Sequence, residues 1–195
     1  MRTVILATLM LSSVVACGSR QASTPSLPIS QPSVGTPGSQ QKTELKLTST
    51  SFKDGEAIPR GNTCDGANVS PPLEWTGVPK TAKTIAIIAD DPDAPSGTFV
   101  HWVLFNLPAD GLGLIENTPQ TETLKGGGMQ GTNGFDKIGY GGPCPPSGTH
   151  HYFFKFYALD GELPLKPGAN KAEVEKAMEG HIVGQAQLMG TYSRK

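Results

Sequence analysis

Proline and glycine interrupt this chain so often that few stretches can hold a long helix. There are 24 Gly and 17 Pro in 195 residues, and in a helix interior each Gly costs about 1 kcal/mol and each Pro about 3 kcal/mol. Between these breaks lie short runs of strand character. Lys83–Ala89 ends at Asp90-Asp91-Pro92-Asp93, Phe99–Leu107 ends at Pro108, and Tyr152–Leu159 ends at Asp160-Gly161. All three are rich in β-branched and aromatic residues, and turn formers punctuate the gaps. One helix signal stands out. Asn170 is placed as an N-cap with Glu173 at the third helical position, followed by Val174–Met178 and closed by Gly180, the pattern of a capping box with a glycine stop. The chain therefore reads as mostly β, a sandwich with a short C-terminal helix.

Side chains alternate along a strand, so residues two apart share a face. Phe99, His101, Val103 and Phe105 share one face of the second run, and His150, Tyr152, Phe154 and Phe156 share one face of the third. Each strand thus carries a histidine on an apolar row near its start. A single histidine so placed is usually a hydrogen-bonded core residue. Two of them, with Tyr152 and the acidic pair Asp91 and Asp93, form a candidate site. In an extended Asp-Pro-Asp the two carboxylates lie on one side about 6.6 Å apart, and a residue before proline favours that extended form. The alternative for either carboxylate is an Asx turn at the strand end. One is expected to take each part.

The amino terminus carries a second constraint. Arg2 precedes an apolar run, Val4–Val15, of about a dozen residues, short of the ~20 that a spanning helix needs. It has the length of a signal-peptide core, so residues 1–16 are set aside from the fold. Val14-Val15-Ala16-Cys17 resembles a lipobox, which implies a diacylated Cys17; the alternative is an ordinary signal peptide with Cys17 incidental. Residues 17–43 are rich in Ser, Pro, Gln and Gly and poor in large apolar side chains, as expected of a disordered tether. The 26 residues after the cysteine would span on the order of 28 Å as a coil and ~85 Å drawn out. These features place the chain in the cell envelope, held to a membrane by lipid, and Gly18 after the cysteine favours the outer membrane in a Gram-negative organism. With Cys17 lipidated, Cys64 and Cys144 remain as an even pair in an oxidising compartment, and a Cys64–Cys144 disulfide is expected. Two buried free thiols are the alternative.

Residues 44–195 are the size of one domain. Two stretches in it, read with the strands above, carry a family resemblance. The first is Asp91-Pro92-Asp93-Ala94-Pro95, then Val100-His101-Trp102 and Asn106-Leu107-Pro108; the second runs from Gly139-Tyr140-Gly141-Gly142-Pro143-Cys144-Pro145-Pro146 to Gly148-Thr149-His150-His151-Tyr152. Cys64-Asp65-Gly66, Ser70-Pro71-Pro72-Leu73 with Trp75, and Gly190-Thr191-Tyr192 add to them. In these motifs the chain resembles the phosphatidylethanolamine-binding proteins, a family that includes the Raf kinase inhibitor proteins and bacterial relatives. The resemblance implies a Greek-key sandwich of two antiparallel sheets and a small pocket for anions such as phosphate groups. By motif position Asp91, His101, His150 and Tyr152 line that pocket, the Gly142 backbone and the Pro95 turn wall it, and Asp93 is a further member. His151 stands where many relatives carry Arg; alternation turns it outward, so the outer face changes and no ligand is lost.

The function implied is that of a lipid-anchored binding protein for an anionic or phosphorylated small molecule, with inhibition of a protein partner as a related role. Within the site, Asp91 is expected to orient and charge a histidine while His101, His150 and Tyr152 donate to the anion. The rival class is an enzyme of the cell envelope, either a metal centre on His101, His150 and Asp91 or a hydrolase with Ser147 as nucleophile. No Gly-x-Ser-x-Gly or His-Glu-x-x-His motif accompanies them, and neither cofactor nor metal is expected. The net charge of -1 gives no footprint for nucleic acid. Gly126–Gly131 lacks the ending of a phosphate loop and reads as a loop beside the pocket.

Overall fold

The computed structural model describes residues 44–194; the signal peptide, Cys17 and the tether expected from the sequence lie outside the described residues. Eight strands and one helix follow in order: β1 (Lys46–Thr48), β2 (Leu73–Thr76), β3 (Thr84–Asp91), β4 (Phe99–Pro108), β5 (Gly113–Leu114), β6 (Met129–Gln130), β7 (Thr149–Leu159), α1 (Lys171–Met178) and β8 (Ile182–Ser193). They form two antiparallel sheets, β1-β2-β5 and β6-β4-β3-β7-β8, so the mostly β, two-sheet expectation holds. Among the described residues no helix is long and apolar enough to cross a membrane.

β3 is buried at every position because both faces of the large sheet are covered. Ile85, Ile87 and Ala89 join Leu47, Leu73 and Trp75 of the small sheet in one core, whereas Ala86 and Ile88 join Leu163, Val174 and Met178 in a second core beneath α1. Each fully buried Ile contributes about 1.5–3 kcal/mol through removal of apolar surface from water. The helix forms where its caps require: the Asn170 side chain accepts the Glu173 N–H, and the Glu173 carboxylate accepts the Asn170 N–H. Asp90, on the helix face of β3, accepts from Lys155 at 2.8 Å and from Lys171 at 2.5 Å, and so ties the start of α1 to the sheet.

Strict alternation fails in β4. The partner of Ala89 is Trp102 and that of Asp90 is Val100, which leaves His101 as a surplus residue in a β-bulge. His101 therefore shares its face with Trp102 and Leu104, while Val103 and Phe105 belong to the opposite core. The expectation that His101, Val103 and Phe105 share a face is corrected by that one extra residue. A second irregularity between Ile85 and Ile87 falls at Phe105–Asn106. There Asn106 adopts φ 56°, and its carboxamide both donates to the Leu163 carbonyl and accepts the Leu163 N–H.

Candidate functional site

The pocket forms where the ends of β3, β4 and β7 meet. Asp91 closes β3 and spends both carboxylate oxygens: Oδ2 accepts from His150 Nδ1 at 2.7 Å, and Oδ1 accepts the Asp93 N–H at 2.8 Å. The first contact orients His150, and the second is an Asx turn that bends the chain after the strand. One carboxylate thus takes both parts that the sequence divided between two. The Asp93 carboxylate turns away and accepts the N–H and Nδ1 of His151 at 2.8 and 2.6 Å on the exposed side. His151 points outward, as alternation implied.

His101 reaches the same space from β4 because of its bulge. Its Nδ1–H donates to the Gly141 carbonyl at 2.6 Å, and its ring packs edge-on against Tyr152 at 5.2 Å. Both histidines line a cavity of about 160 Å³, together with Asp91, Pro95, Phe99 and Phe135. Each has committed Nδ1 to a protein acceptor, and neither Nε2 has a protein partner among the described residues. Burial pushes the His101 pKa below its ordinary value, against the opposing pull of the Gly141 carbonyl and the Asp91 charge. The Tyr152 ring packs against both histidines from outside the cavity lining, and its hydroxyl is buried without a hydrogen-bond partner among the described residues. Burial first, and then the charge of Asp91, raise its pKa, so it stays a phenol with a proton to donate.

The loop that carries Gly141 is fastened from behind. Cys64 and Cys144 are joined by the expected disulfide, with their Cα atoms 5.4 Å apart, and Tyr140 donates its hydroxyl to the Asn62 carbonyl at 2.7 Å. This scaffold has clear relatives. The profile of the phosphatidylethanolamine-binding protein family matches residues 48–193. This chain belongs to that family. A UPF0098 protein of Methanothermobacter thermautotrophicus is 54% identical over 150 residues, covering 77% of this chain and 99% of the relative. A UPF0098 protein of Aquifex aeolicus is 47% identical, covering 77% and 89%. Among solved structures, a putative phosphatidylethanolamine-binding protein homolog from Chlamydia trachomatis superposes with a TM-score of 0.72 at 38% identity, over 78% of this chain and 99% of that one. YbcL of E. coli gives 0.73 at 33% identity, over 78% and 100%.

For this member of the family, the structure brings Asp91, Pro95, His101 and His150 together around one cavity, with Tyr152 packed against both histidine rings. Asp93 lies outside that lining, and Gly142 lines an adjoining cavity of about 140 Å³. Asp93 is drawn away by His151. Gly142 is packed so closely that an added Cβ would sit 2.7 Å from the Asn62 carbonyl oxygen. Ser147 is exposed and makes no hydrogen bond to a histidine among the described residues. No group of three His, Cys, Asp or Glu side chains there is arranged to hold a metal ion. The glycine stretch Gly126–Gly131 is no loop beside the pocket: Met129–Gln130 pairs with β4, and Gly126 and Gly127 line a separate apolar groove with Trp75 and Leu124. Sequence reasoning passed over Phe135, whose ring meets Phe99 at 4.7 Å and His101 at 5.7 Å. Its one sequence signal is a large aromatic inside the polar turn Asn133-Gly134-Phe135-Asp136.

Proposed function

We propose that this chain is a lipid-anchored binding protein of the cell envelope whose pocket takes a phosphate-like anion. The observation that carries the reading is the set of donors left over: the Nε2 positions of His101 and His150, and the orphaned Tyr152 hydroxyl. With both Nδ1 atoms engaged, protonation of either ring adds its N–H at Nε2. An anion then receives charge-assisted hydrogen bonds, which contribute about 1.5–3 kcal/mol each. Asp91, though itself anionic, serves by holding His150 as a donor. A protein partner that presents a phosphorylated or acidic group to the same donors would be held, and inhibited, in the same way.

The sign of the pH dependence follows from His101. Its pKa in the free fold lies below the ordinary value, so the ring is neutral at neutral pH and anion binding takes up a proton. Affinity is greatest at acid pH and is lost as pH rises through the histidine pKa of the bound state. The unliganded fold behaves oppositely: a depressed histidine pKa contributes stability at alkaline pH that is lost as pH falls below the unfolded value. Thermal shifts with inorganic phosphate at about pH 5.5 and about pH 8.5 separate the two effects. The shift should be larger at the lower pH and absent in His101→Ala and His150→Ala. A phosphate shift of equal size at both values, or one retained in both variants, would refute the reading.

The anchor is proposed from Val14-Val15-Ala16-Cys17 at the end of the apolar run. The full chain should partition into a detergent phase, and Cys17→Ala should move it to the aqueous phase. Aqueous partitioning of the unaltered mature chain would remove the anchor from the proposal.

A further inference from the structure

The 160 Å³ pocket and the 140 Å³ cavity beside it share part of their lining. Phe135 lines both, and the Cys64–Cys144 bridge spans them, with Cys144 on the first and Cys64 on the second. The carbonyl of Gly141 holds His101 on one side, while Gly141 and Gly142 line the other. The Phe135 ring lies directly on this backbone, since a Cβ built on Gly141 would sit 2.5 Å from Phe135 Cδ2. Yet that ring is 40% exposed, and it is carried by a tight turn in which Asp136 adopts φ 57°. The ring packs against Phe99 and His101 as well as the Gly141 backbone, and the Phe135 N–H donates to Asn133 Oδ1 at 2.9 Å.

The chemistry on the two sides of this ring differs. The pocket holds the two histidines and Asp91 and no Lys or Arg, whereas Lys137 lines the second cavity with Asn68 and Gln120. Asn68 accepts the Gly142 N–H through its carboxamide oxygen at 2.8 Å, which leaves its NH2 group without a protein partner among the described residues. Lys137 forms no ion pair among them either, and Asn68, Gln120 and Lys137 are all exposed, so the second cavity is open to solvent. Donors and a cation, with no carboxylate, suit an acceptor-rich group.

We propose that the cavity lined by Asn68 and Lys137 is a second subsite, across the Phe135 ring from the histidines, and that the ligand is an elongated molecule with two separate acidic groups. Its phosphate group lies on His101 and His150, and a second acidic group, one short chain away, lies on Lys137 and Asn68. The inference rests on the anion-pocket reading given above. It adds that specificity is set on the far side of Phe135: a plain phosphate ester fills only the half of the site that holds the histidines.

Two probes of matched length test this by calorimetry: propyl phosphate and 2-carboxyethyl phosphate. The carboxylate probe should bind about tenfold more tightly, the scale of one charge-assisted hydrogen bond. Lys137→Met should abolish that preference and leave propyl phosphate affinity unchanged. Phe135→Ala should keep the preference and, in stopped-flow mixing, accelerate association of 2-carboxyethyl phosphate more than that of propyl phosphate. Equal affinity of both probes for the wild type overturns the second subsite, as does a preference that survives Lys137→Met. Failure of the anion pocket itself reads differently, since propyl phosphate would then not bind at all or would bind His101→Ala and wild type alike.

Discussion

Replacing Cys64 and Cys144 together by Ser is expected to lower the free energy of unfolding by about 4–5 kcal/mol and the melting temperature by roughly 10–20 °C. The bridge closes a loop across a sequence separation of 80 residues. In the chain-entropy account a loop of that length removes much of the freedom of the unfolded state, and the gain grows with its logarithm. Loss of the bridge also frees the two segments on either side of the pocket in the native state, because Cys64 follows the 3-10 turn Arg60–Asn62 and Cys144 follows the Gly141 carbonyl that holds His101. Some neighbours persist: Cys64 N–H still donates to the Pro143 carbonyl at 3.1 Å, and Arg194 still pairs with Asp65 at 3.0 Å. The double variant should therefore fold, less stably, and bind phosphate more weakly. Denaturant unfolding with and without reductant measures both effects. A midpoint that neither reduction nor the double replacement moves would show that the bridge does not limit the unfolded chain.

Trp102→Ala should cost about 3–5 kcal/mol, the range for truncating a buried aromatic. Trp102 is fully buried, and its ring meets Tyr140 edge-on at 5.5 Å. Its indole N–H donates to Gln130 Oε1 at 2.7 Å, and Gln130 Nε2 in turn donates to the carbonyls of Pro119 and Thr121 at 2.7 Å each. One side chain therefore fills the core and anchors the segment that crosses the edge of the large sheet. The two contributions can be separated. Trp102→Phe keeps most of the volume but leaves the Gln130 oxygen unpaired, at about 1–3 kcal/mol. Equal losses in the two variants would assign the whole cost to the hydrogen bond, whereas a neutral Trp102→Phe would assign it to packing.

The strands that the sequence revealed are the central ones, long and rich in apolar residues. β3, β4 and β7 announce themselves through Ile, Val, Phe and Tyr, and α1 through a capping box that spans four residues. β8 is longer than any of these strands, yet nothing in it reads as one. It forms an edge of the sheet, it is half exposed, and it must use small residues where neighbours press in; a Cβ on Gly190 would sit 2.5 Å from Ile58 Cγ1. β1, β2, β5 and β6 are too short to show a period.

The site was legible as a set of residue types more than as a geometry. His150 and Tyr152 fall on one face by simple alternation, and the Asp91 Asx turn is implied by the residues before and after Pro92. His101 was assigned to the pocket through the family motif, but its face in the strand was misread, because a bulge leaves no mark in the local sequence. That Asp93 lies outside the cavity lining and Gly142 lines the adjoining cavity was not legible for another reason: which carboxylate turns inward and which glycine faces which cavity depend on packing from segments far away in the chain.

The bulge at His101 has a consequence for how such a site arises or disappears. The flanking residues Val100 and Trp102 pair with Asp90 and Ala89, and the histidine reaches the cavity only because β4 carries one surplus residue at that point. Deleting a single residue there would restore the register, keep every hydrogen-bonded neighbour on the carboxyl-terminal side, and leave the hydrophobic cores intact. The His101 ring would be lost from the candidate pocket. A relative of this chain could thus keep its stability and shape while losing one wall of the candidate pocket through one codon, and a comparison based on percentage identity would barely register the change.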